Sequence, residues 1–344
     1  MKPDIKKSVD SAFTIIELIL VIVVIGILAT LTIVAYNGVQ QKAHQSAVLS
    51  DLDNSAAIMA HEININGAYP ATVSAADGGK GLPTNSGTTY QYTVNNSSTP
   101  PSFCLTGTNN NIIYYINNNS DSPKQGVCPV LYYDAGVASS YPGSGTTWTD
   151  LSGISGNGTL NGGITYSSSN GGALSFDGVA SYVSTPDNNN LDFGTGDFSV
   201  SFWCYRTASG YQGGSYLVKG PYGTPGIESY DGGFYVNTVN GNLAHISLSP
   251  SYNVWENHVL VVTQSSTPHI LHYINGVLNQ TGYVDGGASG SINSSSNLII
   301  GRSSAGGVNR YYNGLIGSFY IYSKALSQNE VNVDFNAQRS RYGI

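Results

Sequence analysis

Residues 198–205 read FSVSFWCY, an uncharged run of the β-branched and aromatic side chains that strands favour. Similar short runs recur from about Leu131 to the C-terminus, at 173–176, 182–184, 233–236, 258–263, 270–274, 298–300 and 317–322, separated by Gly, Ser and Asn turns. Strands this numerous at spacings this regular indicate a sandwich or jelly roll, with a single helical candidate late in the region. Within it, Ile274-Asn275-Gly276-Val277 sets an Asn-Gly pair between apolar residues, the signal of a type I′ hairpin.

Composition agrees with a β-rich protein whose surface is polar but uncharged. Charged residues make up 10% of the 344 residues, against about 25% in an ordinary soluble domain. Gly (42) and Tyr (25), with many Asn, Ser and Thr, take their place. A net charge of −7 and the lack of a Lys/Arg cluster after residue 13 argue against nucleic acid as a partner. Of the three cysteines, Cys104 and Cys128 flank an Asn-rich loop, and a disulfide is the reading for an exported protein. A metal site is the weaker alternative, since two thiols without a nearby His make a poor ligand set. Cys204 sits in the apolar run and reads as a small buried hydrophobe.

The N-terminal part follows a different pattern. Residues 13–36 read FTIIELILVIVVIGILATLTIVAY, with no charge between Leu18 and Ala35. That run meets the lower limit for a membrane-spanning helix. Glu17 lies inside the apolar block, where an ionised side chain costs at least about 2–3 kcal/mol and so calls for a partner. From residue 37 to Asn66, Val48, Leu52, Ala56, Met59 and Ile63 recur at helical spacing on one face, and Asn66-Gly67 ends the run. Residues 67–130 then hold three short β-type runs, at 90–94, 103–106 and 112–116, too few to bury much unless they lie across the stem.

Ahead of this, residues 1–12 (MKPDIKKSVDSA) form a short basic leader ending in small residues. Leader, small residue and Phe-Thr-x-x-Glu heading an apolar helix together resemble the N-terminus of type IV prepilins and type II secretion pseudopilins. The resemblance implies cleavage by a prepilin peptidase between Ala12 and Phe13, N-methylation of Phe13, and pairing of Glu17 with the amine of a neighbouring subunit. This chain departs from the family in having Ala12 where Gly is usual, and Val34 where many members carry Pro.

A second resemblance covers the C-terminal region. The words LSFDG at 174–178, YV at 182–183, FSVSFW at 198–203, WENHV at 255–259, YING at 273–276, LIIG at 298–301, YNGLI at 312–316 and ALS at 325–327 are similar, in order and spacing, to the LamG-like, concanavalin A-like jelly rolls. Gly317 and Ser181 stand where that family often has acidic residues, which weakens any calcium site implied by the resemblance.

The expected organisation is therefore a leader at 1–12, a long helix at 13–66 with its membrane or filament part at 13–36, a small β headpiece at 67–130, and a jelly roll at 131–344. The fold class is an α+β pilin-like unit followed by an all-β jelly-roll sandwich. The expected function is a subunit of a type IV pilus or pilus-like filament that displays the jelly roll for adhesion or glycan recognition. A minor pseudopilin and a membrane-anchored LamG protein outside any filament are the alternatives. The expected partners are other pilin subunits, the prepilin peptidase, the inner membrane, and glycans or cell-surface ligands. The expected location is a single-pass membrane protein that later enters an extracellular filament.

No catalytic machinery is expected. The acidic pairs Glu228/Asp231 and Glu330/Asp334 have the wrong spacing for one strand face, and neither a Gly-x-Ser-x-Gly nor a His-Glu-x-x-His word occurs. His269 and His272, three apart in a strand, fall on opposite faces. Carbohydrate recognition uses aromatic faces at loop tips, which points to Tyr222 in the loop 219–225 and to Tyr311 and Tyr312 in the loop 308–313. Calcium is the one cofactor left open: residues 187–192, Asp-Asn-Asn-Asn-Leu-Asp, are rich in oxygen ligands, and a solvated turn explains them as well.

Overall fold

The computed structural model describes residues 15–84, 87–97, 99–207, 214–230, 232–248, 251–267, 269–284, 288–304 and 307–344, without the side chains of Leu31, Val34 and Ala35. The expected cleavage site, Ala12 and Phe13, lies outside the described residues.

Ile15–Asn66 is one helix of 52 residues, about 78 Å long at 1.5 Å per residue. No proline interrupts it, and the hydroxyls of Thr30 and Thr32 donate to the carbonyls of Gly26 and Leu28, each at 2.8 Å. Their polar groups are thereby satisfied within the helix. Gly67 stops it in the left-handed conformation (φ +68°), its N–H reaching Ile63 O at 3.0 Å. The two halves differ. Between Ile15 and Ile33 the described large apolar side chains stand open, from 79% exposed at Ile15 to 46% at Val24. Further on, Val48, Leu52 and Met59 are fully buried, packing with Ala56 and Ile63 against Phe103, Leu105 and Ile116. Each such side chain contributes about 1.5–3 kcal/mol on burial.

The expected membrane span is not upheld. Among the described residues no helix is long and apolar enough to cross a membrane. The single-pass location inferred from residues 13–36, and the later surface location that depended on it, are withdrawn.

The headpiece is a four-stranded antiparallel sheet of Thr89–Asn95, Ser102–Asn109, Ile112–Asn117 and Lys124–Gln125, laid against the outer half of the stem. Cys104 and Cys128 are disulfide-bonded, with Cα atoms 5.9 Å apart, joining its second strand to the segment that enters the jelly roll.

The jelly roll comprises a nine-stranded and an eight-stranded antiparallel sheet. Phe198–Arg206, the run quoted first, is central to the eight-stranded sheet and pairs with Trp255–Val262 on one side and Asn313–Tyr322 on the other. The ten-residue strand Asn313–Tyr322 serves two further partners, Ala173–Asp177 along one half and Leu131–Asp134 along the other. Phe198, Val200, Phe202 and Cys204 point inward to meet Val183, Leu217, Phe234, Val236, Leu298 and Ile300 of the opposite sheet. At the Asn275-Gly276 turn both residues have positive φ (51° and 79°), as type I′ geometry requires.

The C-terminal helix Gln328–Gln338 starts at a capping box in which Ser327 and Glu330 satisfy each other's backbone amides. It covers the outer face of the eight-stranded sheet, where Trp203 stacks between Phe335 (5.7 Å) and Tyr342 (4.1 Å). Headpiece and jelly roll share apolar packing. Ile113 and Val127 join Val259, Tyr320 and Val331, and Asn117 Nδ2 donates to Leu151 O at 3.1 Å. The boundary near residue 130 is thus a packed junction, not a free linker.

Candidate functional site

The outer face of the nine-stranded sheet carries a row of aromatic rings. On strand Gly226–Tyr230 the side chain of Ile227 enters the core, so alternation turns Glu228 and Tyr230 outward. Likewise Phe234 and Val236 of Gly233–Thr238 point inward and Tyr235 outward, and Ala244 and Ile246 of Gly241–Ser247 point inward and His245 outward. The registers Glu228↔Tyr235, Tyr235↔His245 and His245↔Tyr283 align these positions across four strands. Tyr230 leans across Gly233 onto Tyr235, with centroids 4.5 Å apart. A Cβ on Gly233 would stand 2.6 Å from the Tyr235 ring, so the missing side chain makes room for the stack.

From Tyr230 the stack runs through Tyr235 to His245 (5.6 Å) and Tyr283 (5.3 Å), with interplanar angles of 16°, 17° and 28°. Tyr222 closes the other end edge-on to Tyr230 at 5.4 Å and 75°. Because the inner rings face one another, their flat surfaces are occupied. Open ring surface remains at the ends, on Tyr283 (66% exposed) and Tyr222 (52%). The Arg310 guanidinium lies 5.5 Å from the Tyr230 centroid. Glu228, buried beside Tyr235, accepts from Asn237 Nδ2 at 3.2 Å. Burial pushes its carboxyl above the usual range, opposed by the Gly223 amide, Asn237 and Arg310. Burial, then the neighbouring Tyr222 and Tyr235, raises the Tyr230 phenol. The result is an aromatic surface with polar edges and a guanidinium beside Tyr230, suited to stacking against the apolar face of a sugar or another planar group.

The residues expected from sequence separate here. Tyr222 belongs to the row. Tyr311 is half-buried on the short strand Arg310–Tyr311, opposite Arg302. Tyr312 is withdrawn as a surface ligand residue. It is fully buried against Phe176 and Tyr216, and its hydroxyl donates to Leu315 O at 3.3 Å. Consecutive residues of an extended chain point to opposite sides, so Tyr311 and Tyr312 could not both face solvent. Glu17 is exposed in the first turn of the stem. Tyr230, Tyr235, His245 and Tyr283 were not legible as a group, because cross-strand register brings them together.

The other titratable candidates are structural. Glu330 caps its helix, and Tyr322 donates to Asp334 at 2.6 Å; Asp231 lies outside the described residues. His272 is fully buried, its Nε2 2.9 Å from His258 Nδ1, and His258 Nε2 lies 3.2 Å from Glu256. Burial of Cys204 raises its thiol. Among the described residues no group of three His, Cys, Asp or Glu side chains is placed to hold a metal. Asp187 and Asp192 turn their carboxylates onto Lys219.

Residues 177–332, somewhat under half of the chain, match the family model described as the concanavalin A-like lectin/glucanases superfamily. No curated protein matches the chain. Similar solved structures include the receptor binding domain of botulinum neurotoxin C/D mosaic serotype, with 16% identity, coverage of 61% of this chain and 51% of that one, and a TM-score of 0.46. The binding domain of Paraclostridial Mosquitocidal Protein 1 is 19% identical, covering 61% and 52%, with a TM-score of 0.46. Domain 4 of a GH43 extracellular arabinanase from Geobacillus stearothermophilus, in complex with arabinotriose, is 17% identical, covering 62% and 99%, with a TM-score of 0.44. The chain spans about half the length of the first two. The C-terminal part of the chain is a LamG-like, concanavalin A-like jelly roll.

Proposed function

We propose that the chain is a binding protein whose jelly roll takes glycans or other surface ligands, without catalysis, through the aromatic row. The observation that carries this reading is the pair of open ring surfaces, on Tyr222 and Tyr283, at the ends of a rigid stack. Rings locked by neighbours lose little rotamer freedom when a ligand docks. A glycan array with the full chain tests it: binding is expected, and Tyr283→Ala together with Tyr222→Ala removes it while the far-UV spectrum is unchanged. A blank array across diverse sugars, or binding indifferent to both changes, overturns the assignment.

A second element of the proposal is assembly, as a pilin-like filament subunit or as a minor pseudopilin-like one. It is supported by the inner half of the stem, whose described apolar side chains are open on all sides. A helix hydrophobic all round is a buried helix, and the stems of other copies supply the cover. Processing by a prepilin peptidase at Ala12 and Phe13, and pairing of Glu17 with a neighbour's Phe13 amine, belong to this reading. Intact-mass analysis and sedimentation test it. A chain starting at methylated Phe13 in large assemblies, dispersed by Ile22→Asp, is expected; a monomer beginning at Met1 overturns it.

A further inference from the structure

Five oxygen-bearing residues and one lysine knit together three separate segments at one end of the jelly roll. Lys219 ends the strand Leu217–Lys219, and its side chain is only 5% exposed. Its Nζ donates to Asp187 Oδ1 at 2.5 Å, to Ser294 O at 2.6 Å and to Ser296 O at 3.1 Å, and Asp192 Oδ1 lies 3.3 Å away. An ammonium has three N–H donors, and this one directs all three into the cage. The surrounding loops are tied to each other as well. Asp192 accepts from Ser294 N at 3.4 Å, Asp187 N donates to Asn297 Oδ1 at 3.2 Å, and Ile292 N donates to Gly194 O at 2.9 Å.

Two carboxylates and two backbone carbonyls converging on a point form the hard-oxygen set that calcium takes. Here the point is occupied by an ammonium on a side chain that the fold itself delivers. We propose that Lys219 is a tethered replacement for a bound cation: it holds the loop cluster 187–194 and 292–297 together without metal, and its removal opens a divalent-cation site. The formal charges agree: of the two negative charges on Asp187 and Asp192 the ammonium offsets one, and a divalent cation in its place would offset both. A covalently attached cation cannot be stripped by chelators or lost when calcium is scarce.

The cage also anchors a neighbouring surface. Asn188 Nδ2 donates to Ser155 O at 2.6 Å and Asn190 Nδ2 to Ile154 O at 3.1 Å, so the segment that Lys219 holds is bonded on its other side to the loop 154–155. Asn189, Asn190 and Asp192 line a cleft of about 580 Å³ whose lining also includes Thr93 of the headpiece and Lys324. The ammonium thus sets the jelly-roll wall of that cleft.

Thermal unfolding of the full chain in calcium chloride and in EDTA tests the inference. The wild-type melting temperature is expected to be the same in both. Lys219→Met keeps most of the side-chain volume, removes the charge, and is expected to melt roughly 6–20 °C lower in EDTA, as for a buried pair losing one partner in a domain of this size. Millimolar calcium recovers much of that loss, and terbium added to the variant gives sensitised luminescence that the wild type lacks. A wild-type melting temperature that rises in calcium and falls in EDTA overturns the proposal, because the loops would then hold a metal beside the lysine. A folded Lys219→Met protein indifferent to calcium and dark with terbium overturns it too. Should Lys219→Met fold in neither buffer while the triple variant with Asp187→Asn and Asp192→Asn folds in both, a free cation cannot replace the ammonium, and the proposal fails.

Discussion

Two buried groups of the jelly roll pull its acid stability in opposite directions, and removing one exposes the other. His272 is buried beside His258; desolvation, reinforced by that neighbour, lowers its pKa from 6.5 to about 3. As pH falls below 6.5 the unfolded chain takes up a proton that the folded chain refuses, so stability is lost progressively down to about pH 3. At 1.36 kcal/mol per pH unit the loss by pH 4 is about 3 kcal/mol. Asp334 behaves oppositely. Burial, with a contribution from Glu330, raises its carboxyl from 3.8 to about 7. Between pH 7 and 3.8 the folded chain binds this proton first, so stability rises as pH falls, by up to about 4 kcal/mol. Over pH 4–6.5 the two slopes nearly cancel. Asp334→Asn keeps an oxygen for the Tyr322 hydroxyl, which donates at 2.6 Å, and abolishes the titration. Urea unfolding followed by the fluorescence of the buried Trp148 and Trp203, at pH 4, 5, 6 and 7, reads the difference. The stability of Asp334→Asn relative to wild type is expected to fall by about 1.4 kcal/mol for each pH unit of acidification, and that of His272→Gln to rise by a similar amount. Parallel profiles for wild type and Asp334→Asn from pH 4 to 6.5 would refute the linkage.

Other substitutions probe the packing directly. Gly233→Ala places a methyl group 2.6 Å from the Tyr235 ring; the overpacking is expected to cost about 1–3 kcal/mol, and it should weaken glycan binding along with Tyr283→Ala. Leu52→Ala leaves a hole between stem and headpiece, where Leu52 is fully buried. A loss of about 2–5 kcal/mol is expected in urea titrations, with glycan binding retained because the aromatic row lies on the other domain. Replacing Cys104 and Cys128 by Ser opens a bridge of sequence separation 24 and is expected to cost about 3 kcal/mol, read as an earlier unfolding transition than that of the unreduced wild type.

Local pattern determined a great deal. Period-two runs and Gly/Asn turns marked the strands of the jelly roll, the Asn275-Gly276 pair marked a hairpin, and helical spacing picked out the five stem residues that meet the headpiece sheet. These features depend on a few neighbouring φ/ψ values and on one amphipathic face, which short stretches of chain encode by themselves. What required the tertiary structure was pairing at long range. Whether Tyr311 or Tyr312 faces solvent follows from strand register, and a one-residue slip would exchange them. Tyr230, Tyr235, His245 and Tyr283 become one surface only through three cross-strand registers. The sequence left Asp187 and Asp192 open between a solvated turn and a calcium loop, and folding brings Lys219, from a strand some thirty residues on, into the centre of their oxygens. The apolar stretch at 13–36 suggested a membrane span by composition, and among the described residues no helix is long and apolar enough to cross a membrane. Composition and periodicity are local quantities. Register, burial and the company a charge keeps are set by residues far apart in the chain, and only the folded sheets decide them.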